Sequence, residues 1–174
     1  MNEKFKIFDN LLSQQDEDFI EDYFMNEKLP WIYHKSTVIG EKNQSQDFSW
    51  FSHKFITSNE VISEHTKFIL SIFKKYKIEN LNFHKTYNMR ANLLTHRKLI
   101  RVNHQTPLHR DRPYPHWVMI YYVNDSEGKT HLNEITKVSP KKGRILVFDG
   151  SVEHRAFLPI KRDRCIINFN FLKY

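Results

Sequence analysis

The chain is poor in the residues on which disulfide-rich, fibrous and low-complexity proteins depend. Its 174 residues include one cysteine, four glycines and six prolines. The lone Cys165 has no internal partner, which excludes a disulfide scaffold and favours a reducing, cytoplasmic location with Cys165 as a small buried side chain. Because no repeat or Pro/Gly-rich linker divides the sequence, we expect one domain over residues 1–174.

Long hydrophobic runs are also missing. The longest, Trp117–Val123, is far below the roughly 18 residues of a membrane span. The first ten residues, MNEKFKIFDN, are charged and lack the apolar stretch of a signal peptide. The sequence therefore predicts a protein that is neither inserted into a membrane nor exported.

Acidic residues are outnumbered, since 27 Lys and Arg face 20 Asp and Glu, for a formal charge of +7. The basic residues form small groups, around Arg97, Lys141–Arg144 and Lys161–Arg162. We interpret these groups as solvated faces. The alternative is a patch that meets nucleic acid or an acidic substrate, and charge alone does not decide the fold.

The first 80 residues have helical signals. Ser13 and Asp16 fit a capping box ahead of an apolar stripe, which predicts a helix there. A second helix is expected over Glu60–Lys77, with Thr57 and Glu60 as its capping box. The polar segment Ser36–Ser52 between them is predicted to be a loop near a pocket mouth.

From Leu81 onward, runs rich in β-branched and aromatic residues alternate with turn signals. They are Leu81–Leu94, Trp117–Asn124, Thr130–Val138, Gly143–Phe148 and Arg164–Phe171. Short strands at this spacing are typical of a barrel or a double-sheet jelly roll. The fold class expected is mainly β with flanking helices, in which residues 1–80 pack on the sheet and 81–174 form the core.

The residues that indicate chemistry lie in this second half. His109 and Asp111 are two positions apart in PLHRD, so that on an extended strand both point to one face. His154 follows the run GRILVFDG, and Arg164 opens the strand RCIINFNF. Two histidines and one carboxylate make the facial triad that holds non-haem Fe(II), and an arginine nearby can clamp a carboxylate.

In order and spacing these motifs resemble the Fe(II)/2-oxoglutarate-dependent oxygenases, especially the prolyl-4-hydroxylase-like branch. The resemblance runs from about Arg90 to Phe171, through RANLL, PLHRD, MIYYVN, EGKT and PKKGRILVFDG. The family often has Gly-Gly before an acid-Thr pair after YYVN, whereas this chain has Glu127-Gly128-Lys129-Thr130. The resemblance implies a double-stranded β-helix, which is a cupin-like jelly roll.

The resemblance also implies residue roles. His109, Asp111 and His154 would be the iron ligands, and no catalytic residue is expected beyond them. Arg164 would bind the distal carboxylate of 2-oxoglutarate, with Tyr122 sharing it. The charges of Fe(II), Asp111, 2-oxoglutarate and Arg164 cancel, so such a site can be buried at little cost.

The implied activity is hydroxylation of a C–H bond, with O2 as oxidant, decarboxylation of 2-oxoglutarate to succinate and ascorbate as a candidate stimulant. A peptide or protein substrate is expected, and small molecules and nucleic acid remain as alternatives. Two other classes stay open: a cupin-like metal-binding protein without oxygenase activity, and a plain basic nucleic-acid-binding module. The sequence leaves the oligomeric state undetermined.

Two further sets of residues are expected near the site. Asn168 and Asn170 alternate in phase with Arg164 on the last strand, so we expect them on the same inner face. His104 and His116 flank the metal motif and are candidates for the substrate entrance.

Overall fold

The computed structural model describes residues 5–26, 28–35, 49–79, 81–96, 105–133 and 135–173. Its elements are, in order, β1 (Phe5–Phe8), α1 (Gln14–Met25), β2 (Ile32–His34), β3 (Trp50–Thr57), β4 (Glu60–Val61), α2 (Thr66–Phe73), a 3-10 turn (Phe83–Lys85), β5 (Thr86–Leu94), β6 (His116–Tyr122), β7 (Thr130–Leu132), β8 (Thr136–Val138), β9 (Ile145–Asp149), β10 (His154–Ala156) and β11 (Arg164–Leu172).

The strands form two antiparallel sheets. The large sheet has the order β1-β9-β6-β11-β5-β3-β2, with β4 paired to β3, and the small sheet has the order β10-β7-β8. Two isolated bridges, Gln105 with Phe157 and His109 with His154, extend the small sheet by the segment before β6. This is the predicted jelly roll, and the fold class is confirmed.

Alternation along the central strands of the large sheet produces two cores. On β11, Cys165, Ile167 and Phe169 are buried on the face covered by the helices. Ile166 packs on the opposite face, against the small sheet. Because successive strand residues point to opposite faces, polar residues in phase with Ile166 must lie between the two sheets.

Helix α1 begins as its sequence predicts. The Ser13 hydroxyl accepts a hydrogen bond from the Asp16 backbone N–H at 3.2 Å, which satisfies one of the free N–H groups of the first turn. Ile20 and Phe24 are fully buried against the large sheet, whereas Phe19 stays 37% exposed. The helix thus covers one end of the core that lies between the helices and the large sheet.

The prediction of a second helix over Glu60–Lys77 is wrong at both ends, because the helix runs only from Thr66 to Phe73. Ser58 and Asn59 have positive φ values of 51° and 68°, and they form a tight turn after which Glu60–Val61 pairs back onto β3. The helix starts only at Thr66, after His65, which makes no side-chain cap. Val61 lies on β4 and is 58% exposed.

Strands β1 and β3 bring the N-terminal part of the chain into the large sheet itself. The polar composition of Ser36–Ser52 predicted a loop, but Trp50 and Phe51 open β3. Residues 36–48 of that segment lie outside the described residues. In the described ranges, neither helix has the length and apolarity needed to cross a bilayer.

Candidate metal centre and carboxylate site

The segment before β6 and the start of β10 bring His109 and His154 together. Their backbones exchange both hydrogen bonds, from His109 N–H to His154 O at 3.0 Å and from His154 N–H to His109 O at 2.9 Å. Residues bridged in this way project their side chains to the same side. The two imidazole rings therefore lie with their centroids 4.5 Å apart.

Asp111 completes a compact cluster with these histidines. Its Oδ1 lies 3.7 Å from His109 Nε2 and 3.6 Å from His154 Nε2. The ligand atoms of the three residues all fall within 4.8 Å of one another. His154 is buried and only 9% of the Asp111 side chain is exposed, but 47% of the His109 side chain is exposed, so the cluster is open on one side.

Hydrogen bonds set the tautomer of both rings. His109 Nδ1 lies 2.9 Å from the Pro107 carbonyl oxygen, and His154 Nδ1 lies 3.4 Å from that of Val152. Since a carbonyl only accepts, each Nδ1 carries the proton and each Nε2 keeps its lone pair for a metal. Burial, followed by the charge of His154, lowers the pKa of His109, which favours the neutral, ligating form.

The second oxygen of Asp111 is held by two amides of β11. Its Oδ2 accepts hydrogen bonds from Asn168 Nδ2 at 3.0 Å and Asn170 Nδ2 at 2.9 Å. Burial by itself would raise the pKa of Asp111, but His154 and the two amides hold it well below its usual range. Asp111 is thus an ionised carboxylate whose Oδ1 is turned toward both histidines.

Arg164 lies on the same inner face of β11 and is only 2% exposed. Its Nη2 donates to Thr130 Oγ1 at 2.8 Å, and the Tyr122 hydroxyl donates to the same oxygen at 2.7 Å. Arg164 Nε is buried without a hydrogen-bond partner, and no carboxylate of the described residues forms an ion pair with this guanidinium. A buried cation in this condition is costly unless an anion joins it, so the pocket fits a carboxylate.

Gly128 makes room for this arginine. A Cβ at position 128 would lie 2.6 Å from the Phe157 carbonyl oxygen and 2.9 Å from Arg164 Cδ. The single glycine of the EGKT segment is therefore required by a close approach to the arginine. The departure from the Gly-Gly pattern leaves this contact intact.

The structure thus brings His109, Asp111 and His154 together, and it places Arg164 beside Tyr122. Asn168 and Asn170 face inward, as their phase with Arg164 predicts. Sequence reasoning gave no role to Thr130, although the residue could have been found from the acid-Thr position of the motif.

His104 and His116 were the two histidines predicted to line the substrate entrance. His104 lies outside the described residues. His116 is fully buried, with its Nδ1 2.7 Å from the Tyr114 carbonyl oxygen, and a Cβ at Gly150 would touch its ring. His116 is therefore a packed interior residue, and its role as an entrance residue is wrong.

The basic groups are largely paired with acids. Arg144 binds both carboxylate oxygens of Asp9 at 2.8 Å, and Lys142 pairs with Asp18 and Glu21. In the remaining group that the structure describes, Arg162 Nε donates to Glu127 Oε1 at 3.3 Å, and Lys161 contacts the same carboxylate through its backbone N–H. The exposure of Lys161 and Arg162 agrees with a solvated face.

No family model and no curated protein matches this chain. Solved structures do match over nearly its whole length. An oxidoreductase of the 2OG-Fe(II) oxygenase family from Burkholderia pseudomallei aligns with a TM-score of 0.70 and 9% identity, over 98% of this chain and 86% of that one.

Two prolyl hydroxylases are also similar. The viral collagen prolyl hydroxylase of Paramecium bursaria Chlorella virus-1, solved with 2OG, has a TM-score of 0.59 and 14% identity, over 99% of this chain and 98% of that one. A Trichoplax adhaerens prolyl hydroxylase, in complex with a hypoxia inducible factor peptide fragment, has a TM-score of 0.63 and 14% identity, over 98% of this chain and 84% of that one. The chain therefore has the fold of the 2OG-Fe(II) oxygenases, and the resemblance read from its motifs is confirmed for the fold.

Proposed function

We propose that the protein is an Fe(II)- and 2-oxoglutarate-dependent dioxygenase that hydroxylates a C–H bond, with a peptide or protein as the expected substrate. The observation that carries the proposal is the presence, in one oxygenase fold, of a two-histidine, one-carboxylate cluster and a buried arginine that forms no ion pair with any acid of the described residues. The likeness to a prolyl hydroxylase solved with a peptide supports the substrate class.

The donor set fits a ferrous ion. Two neutral imidazole nitrogens and one carboxylate oxygen on one side of an ion leave its other positions open for ligands. His109, Asp111 and His154 would hold the metal. When bound, Fe(II) and 2-oxoglutarate would supply the oxidising chemistry. In the overall reaction, O2, 2-oxoglutarate and the substrate C–H group are converted to succinate, carbon dioxide and the hydroxylated substrate.

The chain's own residues orient the reactants and compensate charge. Arg164 would receive the distal carboxylate of the cosubstrate, with Thr130 fixing the guanidinium and Tyr122 buried beside it. Because Arg164 and Asn168 are four residues apart on one strand face, the carboxylate site and the metal centre share one rigid support. Buried apolar residues between the two sheets, among them Ile120, Leu146 and Ile166, exclude water from this layer.

Turnover tests the proposal directly. Purified protein is supplied with Fe(II), ascorbate and 2-oxoglutarate, and succinate is measured with and without pools of peptides, small metabolites and nucleic acid. We expect slow succinate formation that one pool accelerates. His109→Ala and His154→Ala should lose both iron and activity, whereas His84→Ala, which alters an exposed histidine of the 3-10 turn, should lose neither.

Binding separates the alternatives. The anaerobic Fe(II) protein is titrated with 2-oxoglutarate, and the weak visible charge-transfer band of the complex is recorded. Iron binding without this band would favour the cupin-like metal protein. Protein that binds no iron but binds nucleic acid in a salt-dependent way would contradict both the dioxygenase and the cupin-like metal protein.

A further inference from the structure

The inner face of β5 contains polar groups that the proposed reaction does not use. Arg90 Nε and Asn92 Oδ1 are buried, and neither has a hydrogen-bond partner. Such atoms are rare in folded proteins and require an explanation. Both belong to one strand, two residues apart, so they lie on the same face of the large sheet.

The register of the sheet places Arg90 beside the metal centre. Arg90 pairs with Asn168 on β11, and directly paired residues share a face. Asn168 in turn donates to Asp111 Oδ2. The Arg90 side chain is therefore one strand away from the amide that orients the candidate metal ligand.

The surroundings of Arg90 provide packing but no counter-charge. Its guanidinium lies over the Trp50 ring at 5.2 Å from the centroid, and its partner across the sheet on β3 is Lys54, another cation. Among the described residues, no carboxylate forms an ion pair with it. Asp111 is the acid whose charge acts on Arg90, and that carboxylate is already committed to Asn168, Asn170 and the histidines.

Charge balance shows what is missing. The charges of Asp111, Arg164, a ferrous ion and 2-oxoglutarate sum to zero. Arg90 is a partly buried residue whose Nε is enclosed. It adds one positive charge at the edge of that assembly, and partial burial makes an uncompensated charge unfavourable. A group that supplies one negative charge on this side of the metal would balance the site.

We propose that Arg90, assisted by Asn92, binds an anionic group of the primary substrate, a carboxylate or phosphate close to the C–H bond that reacts. This inference rests on the proposed function and adds the substrate class to it. Arg90 recognises the anion, and the Asn92 oxygen accepts a hydrogen bond from a neighbouring donor of the same substrate. Trp50 holds the guanidinium in place.

The test uses small anions as probes, because the substrate is unidentified. The protein is loaded with redox-inert Zn(II) and 2-oxoglutarate, and inorganic phosphate and acetate are titrated separately by calorimetry at constant ionic strength. The variants are Arg90→Gln, Arg90→Lys and Asn92→Asp. Arg162→Gln is the matched control, because it removes one exposed arginine charge that pairs with Glu127.

We expect Arg90→Gln and Asn92→Asp to weaken binding of the preferred anion about 10-fold or more, the loss of one charge-assisted hydrogen bond. Arg90→Lys should retain part of the affinity, and Arg162→Gln all of it. The two probes distinguish a carboxylate from a phosphate. If Arg90→Gln does not fold, as judged by circular dichroism, Asn92→Asp still decides the matter, because a carboxylate there repels the anion or neutralises Arg90.

Three results would overturn the inference. Equal anion affinity in wild type and Arg90→Gln would mean that the anion binds elsewhere, including on the metal. No anion binding to the loaded wild type would leave Arg90 without the proposed ligand. A 10-fold loss of 2-oxoglutarate affinity in Arg90→Gln would assign the arginine to the cosubstrate. By contrast, wild-type protein that binds neither zinc nor 2-oxoglutarate would refute the proposed function itself.

Discussion

The two amides on Asp111 give the sharpest test of the metal centre. Asn170→Ala removes the 2.9 Å hydrogen bond to Oδ2 and leaves the 3.0 Å bond from Asn168. A hydrogen bond to a charged group contributes about 1.5–3 kcal/mol, and each 1.4 kcal/mol corresponds to about a factor of ten in affinity. Freed of one amide, the carboxylate can rotate its Oδ1 away from the histidines. We therefore expect metal affinity to fall roughly 10- to 100-fold.

The assay is competition against a chromophoric chelator, with Zn(II) in air and with Fe(II) under anaerobic conditions. Asn168→Ala should act in the same direction, and the double variant should bind metal more weakly than either single one. Asn26→Ala is the matched control, because Asn26 also donates to an aspartate oxygen, that of Asp22 at 2.6 Å, but on the exposed end of α1. That variant should bind metal like the wild type.

Folded single and double variants that all bind metal within about twofold of the wild type would refute the role of the two amides in orienting Asp111. Such a result would mean that the backbone of the 109–111 segment alone positions the carboxylate. A loss of metal affinity in Asn26→Ala would equally show that the assay reports general destabilisation, and the site-specific interpretation would fail.

Three further predictions concern separate parts of the molecule. Gly128→Ala should weaken 2-oxoglutarate binding about tenfold or more, because its Cβ would lie 2.9 Å from Arg164 Cδ, while metal affinity measured by the same chelator competition stays unchanged. Ser13→Ala should cost about 1 kcal/mol through loss of the α1 cap, seen as a melting temperature lowered by about 2–4 °C. Partial burial would raise the pKa of Asp149, but Lys173 and a backbone N–H lower it to about 2 from 3.8. The contribution of the ionised Asp149 to the free energy of unfolding is therefore complete above about pH 4 and is lost as pH falls toward 2. Measured by urea unfolding, Asp149→Asn should be less stable than the wild type at pH 6 and nearly as stable near pH 2.

Local patterns predicted β5, β6, β9 and β11 well, because these strands are the longer ones and lie inside the large sheet. The run Thr130–Val138 is instead two strands of three residues, β7 and β8. On β11, alternation alone put Arg164, Asn168 and Asn170 on one face and Phe169 on the other, and the two cores follow that division. Spacing also brought His109 and Asp111 to one side. What spacing could not give was the bridge from His109 to His154, which depends on pairing between residues 45 positions apart.

The first half was harder to predict, for physical reasons. The pairing of β1 with β9 joins residues at opposite ends of the chain, and no local signal encodes it. In the stretch read as one long helix, the turn at Ser58 and Asn59 depends on left-handed backbone that asparagine tolerates and that an apolar periodicity count ignores. The role proposed for Arg90 likewise depends on the strands on either side of it and not on its neighbours in sequence.

The amides that orient Asp111 and the arginines proposed to bind anions lie on β11 and β5, which connects the chemistry of the site to the stability of the fold. The outer face of β11 packs Phe169 edge-on against Phe73 of α2, with ring centroids 5.1 Å apart, while the inner face of the same strand holds Asp111 through two amides. Because backbone hydrogen bonds on both sides fix this strand between β5 and β6, its backbone cannot shift toward a ligand without disturbing the helices behind it. The two amides that hold Asp111 are therefore preorganised by the core on the opposite face of the same strand.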